Sequence, residues 1–422
     1  MTGKLVLYEL KKSLKDRFVK VAAVALLVIS AVPFWLLGDY AGAMRQNKAA
    51  GVQTISLPAY LRNVSDAGKE RKEKSRVFTE LTALEREAFE KSMREKYGED
   101  VFASEVFIPP EGMTELPGVL GKKVSDLEAV FMVRDLMREN KEIQADAESV
   151  IRSAKALGRD AVRREDDYAV RRNLKIIELY SVKRKEARGI VLGWDRFLFS
   201  RQSAVCAFLL ILLVSAGSFA REKDEGIRIF LMTTRNGRGR TAFAKYAACG
   251  ITGGASAFLC WLASLAGTGL TVGLCGHEES VCRPSELRLC PWPLTVGEYA
   301  LIMLLFQVLA GVFVAILLAA LSAFMPGGAV SYAAGVLLLG AFLRLLYALP
   351  RREYLAGPAS LADPRRFFAS YYVADAFGYP VPWLLLQTLF MTVACILFAY
   401  LGSRAFVRRL RSAGAASAAN LR

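Results

Sequence analysis

Three cysteines and the only histidine of the chain crowd one short stretch, as Cys275, His277, Cys282 and Cys290. Thiolates together with an imidazole are the usual ligands of zinc, but the spacing C-x6-C-x7-C fits no standard ligand pattern, so no metal ligand is assigned. The same cysteines could form a disulfide in an oxidising compartment or stay as thiols, and the sequence leaves these readings open. Phosphate-cradling chemistry is missing in its commonest form. No G-x-x-x-x-G-K-[ST] occurs, and Gly118-Val-Leu-Gly121-Lys122-Lys123 has neither its spacing nor its closing hydroxyl. No catalytic residue and no bound cofactor is therefore expected.

The elements around these residues are set by hydropathy. The chain has 422 residues, of which 54% are hydrophobic and 23% charged. That mixture implies segregation along the sequence, because only helices or closed barrels satisfy every backbone polar group in hydrocarbon. Six apolar runs are long enough to be membrane helices: 21–37, 203–219, 246–272, 299–324, 330–349 and 383–402. The first resembles a signal peptide, with Ala41-Gly-Ala43 following it, but the charged region before it is long, so an uncleaved anchor is expected. Cys206, Cys249, Cys260 and Cys395 lie within spans, where a small hydrophobe is the expected role.

The formal charge of +16 would suggest nucleic acid in a soluble protein, but here it is concentrated beside the spans. Residues 1–20 carry a net +4, residues 220–245 a net +4, and the tail 403–422 a net +5 without any acid. With six spans these three segments share one side, which the positive-inside rule makes the cytoplasm. A multi-pass protein of the cell membrane with both termini cytoplasmic is expected, without nucleic acid as a partner. The loop 350–382 on the other side holds Arg351, Arg352, Arg365 and Arg366 against three acids, a net +1 that runs slightly against this scheme.

Residues 4–18 place Leu7, Leu10, Leu14 and Phe18 on one helical face, so 1–20 is read as an amphipathic interfacial helix. The insertion 38–202 is hydrophilic and nearly neutral, with 30 basic and 28 acidic residues between Asp39 and Phe199. Val77, Leu81, Leu84 and Ala88 in its first half, and Ile143, Ala147, Val150, Ala154, Leu157 and Ala161 in its second, follow a four-and-three spacing. This pattern predicts two helices packed as a coiled coil, joined through the proline-rich stretch from Phe107 to Pro117. Asn63-Val-Ser65 matches the short glycosylation sequon. The loops 273–298 and 350–382 complete the same side, and Phe367, Phe368, Tyr371, Tyr372 and Tyr379 are expected at headgroup level. Arg344, near the outer end of the fifth span, is expected to snorkel toward that interface. The fold class is thus all-α: six transmembrane helices and a helical extracytoplasmic insertion.

The stretch with the most information is Phe219 to Lys245. An acidic residue leaves the second span, a glycine and a short apolar-faced segment follow, then a Thr-Thr turn, basic residues, and a lysine that opens the third span. In this order the segment resembles the cytoplasmic coupling loop of ABC-2 type permeases. Glu222, Glu225, Gly226, Leu231, Thr233, Thr234, Arg235, Arg238 and Lys245 stand at the corresponding positions. The amphipathic entry with Glu9-Leu10-Lys11-Lys12 and the six-span count extend the resemblance over the membrane part of the chain. It implies the permease subunit of an ATP-driven exporter. ATP would be bound by a separate ATPase chain, and a second permease chain, identical or not, would complete the path through the lipid. The alternative is a mechanotransmission or signalling protein that moves its extracytoplasmic stalk without carrying a solute. An ion-coupled carrier is disfavoured, because no Asp or Glu lies within a span.

Overall fold

The computed structural model describes residues 2–32, 126–182, 191–224, 237–348 and 362–419, with short pieces between residues 36 and 95. Four helices among them are long and apolar enough to cross a membrane: Gln202–Glu222, Gly239–Thr271, Val296–Phe324 and Trp383–Arg408. The chain is a predominantly helical membrane protein. The two remaining runs anticipated as spans are helical but shorter in their described apolar parts, namely Arg17–Ala31 and Gly328–Arg344.

Helix α1 (Thr2–Lys15) leads into α2 (Arg17–Ala31), whose first turn is capped by Asp16 Oδ1 accepting from Phe18 N at 3.0 Å. Helix α2 runs beside the later spans: Ser30 Oγ donates to the Cys260 carbonyl at 2.7 Å. The Gln202 amide donates to the Ile29 carbonyl and, at 2.6 Å, to that of Val32, so it satisfies carbonyls that a helix end leaves open. The bundle continues with α5 (Trp194–Phe199), α6 (Gln202–Ser215) and α7 (Ala220–Asp224), then α8 (Gly237–Thr271) and α9 (Val296–Phe324). Helices α10 (Gly328–Ala348) and α12 (Trp383–Ala419) finish it.

Lipid supplies no hydrophobic drive between helices, so close contact has to come from small residues. Helices α8 and α9 meet at such a seam. A Cβ on Gly253 would stand 2.6 Å from both the Ala315 Cβ and the Gly311 carbonyl oxygen, and one on Gly311 2.8 Å from the Ala257 Cβ. Gly253 and Ala257, like Gly311 and Ala315, are four apart and therefore on one face. Aromatic edges fill the wider gaps, as between Phe219 and Phe406 at 5.1 Å and between Phe197 and Trp261 at 5.1 Å.

Beyond one end of the bundle lies a cap. Helices α3 (Asp126–Arg163) and α4 (Asp167–Ser181) form a hairpin through a turn at 164–166, with Gly158 against Asn173. The heptad positions Ile143, Ala147, Ala154 and Ala161 are buried along α3, whereas Leu157 is exposed. The helix that α3 packs against among the described residues is α4; the earlier segment with Val77, Leu81, Leu84 and Ala88 lies outside them, as does Phe107–Pro117. The all-α expectation needs one addition. Strands β1 (Val373–Ala376) and β2 (Tyr379–Pro382) pair antiparallel across Phe377-Gly378, both at positive φ, the turn that suits a two-residue hairpin. A short helix α11 (Arg365–Phe368) precedes them.

Candidate functional site

At the end of the bundle opposite the cap, α6 stops at Ser215 and the chain passes through turns into α7. The backbone donors freed there are met from α9: Ser322 Oγ accepts from Phe219 N at 3.1 Å and from Ala220 N at 3.0 Å. Helix α10 adds Tyr332, whose hydroxyl donates to the Leu213 carbonyl at 3.0 Å, and Ser331, which donates to Ala216. Asp224 closes this ring by accepting from Gly328 N at 2.8 Å.

Against this ring lies a cluster of four charges. Lys245, in the third turn of α8, is 2% exposed, and its Nζ lies 2.6 Å from Glu222 Oε1 on α7. It also donates to the Ser218 carbonyl at 3.0 Å, approaches Glu9 Oε2 at 3.5 Å, and stands 5.5 Å over the Phe219 ring. Lys12 adds a second cation to Glu222 at 3.3 Å. Glu9 and Lys12 are three apart on α1, so one face of that helix supplies both. Nearby, Arg221 pairs with Asp16 at 3.3 Å. Two charges removed from water need this density of partners, because the desolvation penalty otherwise exceeds their attraction. Glu222 Oε2 is nevertheless buried without a hydrogen bond from the described residues. A pocket of about 60 Å³ adjoins Lys245 and Glu9, with room for a few waters.

The structure thus brings together two of the sequence candidates, Glu222 and Lys245, inside the protein. Arg238 lies in the first turn of α8. Glu225, Gly226, Leu231, Thr233, Thr234 and Arg235 lie outside the described residues. In the sequence Glu9 and Lys12 stand only as part of an amphipathic entry, and the structure adds their place in the cluster. The signal available was an acid and a base three apart, on the helix edge beside the apolar face. On α1 and at the start of α2, Leu7, Tyr8 and Phe18 remain exposed.

A second group of charges holds the cap. Asp363 Oδ1 and Oδ2 accept from Arg365 at 2.5 and 2.6 Å, and Oδ2 also from Arg201 at 2.8 Å, beside the start of α6. Burial would raise the Asp363 carboxyl, but the hydrogen bonds and charge of Arg365, with Arg201, outweigh it and hold it below the usual carboxylate range. Arg283 reaches Glu139 on α3 at 2.6 Å, and Arg288 reaches Glu142 as well as Asp146, the latter at 2.7 Å. The hydrogen bond from Arg288 lowers the Glu142 carboxyl. Phe367, Phe368 and Tyr371 are buried within the protein, with Phe368 on Tyr299 at 5.1 Å and Tyr371 on Trp292 at 6.2 Å.

The three loop cysteines are part of this cap. Cys275 N and O bond to Leu192 across an isolated bridge, and Cys282 and Cys290 are buried, with Cys282 Sγ 3.7 Å from the Cys290 carbonyl. The His277 side chain stands 3.8 Å from Glu278. Among the described residues no three His, Cys, Asp or Glu side chains come together as a metal site.

These features define the class as a helical membrane protein, with a charged helical hairpin at one end of the bundle and a buried ionic cluster at the other. No family model, curated protein or solved structure shows significant similarity to the chain.

Proposed function

We propose that the chain is the membrane-spanning permease subunit of an ABC-2 type exporter, working as a dimer with a second permease chain and driven by a separate ATPase. The observation that carries this reading is the buried Glu222–Lys245 pair, which sits at the two ends of the 225–236 segment and joins them to α1. A force applied to that segment would reach α1, α6 and α8 together, through contacts too costly to break singly. In this reading α2 and α10 complete a six-span topology, the ionic cluster faces the cytoplasm, and 225–236 is the docking surface for the ATPase. The test is reconstitution of the full chain in lipid nanodiscs with the soluble ATPase that this reading requires. Stable association and ATPase stimulation are expected; absence of both refutes the reading.

One observation favours the mechanical alternative. The α3–α4 hairpin is clamped to the cap by Arg283–Glu139, Arg288–Glu142 and Arg288–Asp146, and the cap to α6 by Arg201–Asp363. Movement of the bundle would be passed to the hairpin by these pairs. A reconstituted complex that hydrolyses ATP and moves the hairpin, yet exports no lipid, peptide or drug-like solute, would select it.

A further inference from the structure

Between the hairpin and the cap lies a cavity of about 390 Å³, within the size range of small-molecule sites. One wall is a stripe of α4: Tyr168, Arg172, Ile176 and Tyr180 follow at intervals of four, so all face the same way. The facing wall is formed by Tyr371, Tyr372 and Trp383. Trp383 is the first residue of α12, so the floor of the cavity lies where that span begins. Tryptophan at such a boundary marks the edge of the hydrocarbon layer.

Among the described residues the lining is chiefly aromatic, and Arg172 is the one charged side chain in it. Its neighbours are committed elsewhere. Lys175 is paired with Glu178 at 2.8 Å, and the Arg171 guanidinium lies 4.6 Å over the Tyr379 ring and donates to the Gly378 carbonyl at 3.4 Å. No carboxylate among the described residues pairs with Arg172. The Tyr371 phenol, protonated at neutral pH and raised further by burial, is a hydrogen-bond donor. The cavity therefore offers a fixed positive charge at one side, a phenolic donor, and aromatic faces leading to the membrane surface. A cation would be repelled by Arg172, and a wholly apolar guest would leave the guanidinium unused.

We propose that this cavity binds a single-chain carboxylate amphiphile entering from the adjoining leaflet, with its head on Arg172 and its chain against the wall of Tyr371, Tyr372 and Trp383. The space suits one chain rather than the two of a bilayer phospholipid. The site does not depend on whether the protein works with an ATPase.

The test uses the full chain in phosphatidylcholine nanodiscs and a palmitate carrying a diazirine on its chain, with cross-linked peptides mapped by mass spectrometry. Label is expected on peptides containing 168–180 and 370–383, and excess unmodified palmitate should displace it. Arg172→Gln should lower labelling about tenfold, the usual worth of one charge-assisted hydrogen bond. Ile176→Trp should abolish it by filling the cavity. The matching fatty alcohol should label no better than Arg172→Gln does with the acid. Should Ile176→Trp fail to fold, Arg172→Gln still decides, since that side chain is exposed on α4. Equal labelling by acid and alcohol, labelling unchanged by Arg172→Gln, or no labelling of these two peptides overturns the proposal.

Discussion

Lys245 Nζ and Glu222 Oε1 lie 2.6 Å apart, both buried, although 23 residues separate them in sequence. Removing one member of a buried pair leaves the other charge without compensation, at a cost of about 3–5 kcal/mol. Glu222→Ala should therefore lower the thermal midpoint of the full chain in detergent by many degrees. The double replacement Glu222→Gln with Lys245→Met should recover most of that loss. Equal midpoints for wild type and Glu222→Ala would show that the pair is not formed.

Acid should loosen the cap before the bundle. The Asp363 carboxyl titrates below its unfolded value of about 3.9. Its stabilisation is full above that value and is lost as the pH falls through the lower, folded pKa. Tryptophan fluorescence of Trp292, followed during melting between pH 6 and 3, should show a midpoint that falls below about pH 4. Asp363→Asn should start from a lower midpoint and lose the part of the slope that Asp363 supplies. An unchanged acid slope in that variant would contradict the assignment.

The glycine seam between α8 and α9 gives a packing test. Gly253→Ala puts a methyl 2.6 Å from both a backbone oxygen and a methyl carbon, neither on a flexible side chain. Overpacking of this kind costs about 1–3 kcal/mol. Gly239→Ala, on the same helix with open space around it, is the control and should change stability little. Detergent titration to unfolding compares the two, and equal effects would mean that the helices do not meet at Gly253.

Phe377 occupies the left-handed region at φ 55° and is fully exposed at the hairpin tip. That conformation costs a bulky residue about 1–2 kcal/mol, and asparagine adopts it readily before glycine. Phe377→Asn should raise the thermal midpoint of the cap, read by the same Trp292 signal. A lower midpoint would show that the ring makes a contact worth more than the strain.

Most membrane helices are legible because apolar runs report burial in lipid directly, whereas the length of a helix beyond its apolar run is not. The third apolar run opens at Tyr246, where charge ends, and α8 extends it back to Gly237 with Lys245 inside the helix. A charge can be buried when its partners arrive from elsewhere, and Glu222, Glu9 and the Ser218 carbonyl are contacts that no local pattern announces. The burial of the aromatics at 367–371 is likewise not announced by a local pattern. Their composition fits a headgroup layer, but the Asp363–Arg365–Arg201 cluster draws that segment onto Tyr299 and Trp292. In the hairpin, the spacing from Ile143 to Ala161 marked the helix correctly and not its partner α4, since periodicity states which face is apolar and not what covers it.

The docking role proposed for 225–236 is separable from the buried pair that flanks it. Arginines often dominate a docked protein surface, and truncating one such residue typically costs about 2 kcal/mol or more of binding. Arg235 belongs to the segment itself, whereas Glu222 and Lys245 are inside the bundle. Arg235→Ala should leave the thermal midpoint of the full chain unchanged while weakening binding of the partner ATPase about thirtyfold, a factor that corresponds to that energy. Glu222→Gln keeps the shape of the side chain but removes its charge, so it should lower the midpoint and, in the protein that remains folded, reduce stimulated turnover more than affinity. Both readouts come from one preparation: differential scanning fluorimetry in detergent, then ATPase titration on nanodiscs. If Arg235→Ala binds the ATPase as tightly as wild type, the basic residues of this loop serve only to hold it on the cytoplasmic side, and the docking surface lies elsewhere.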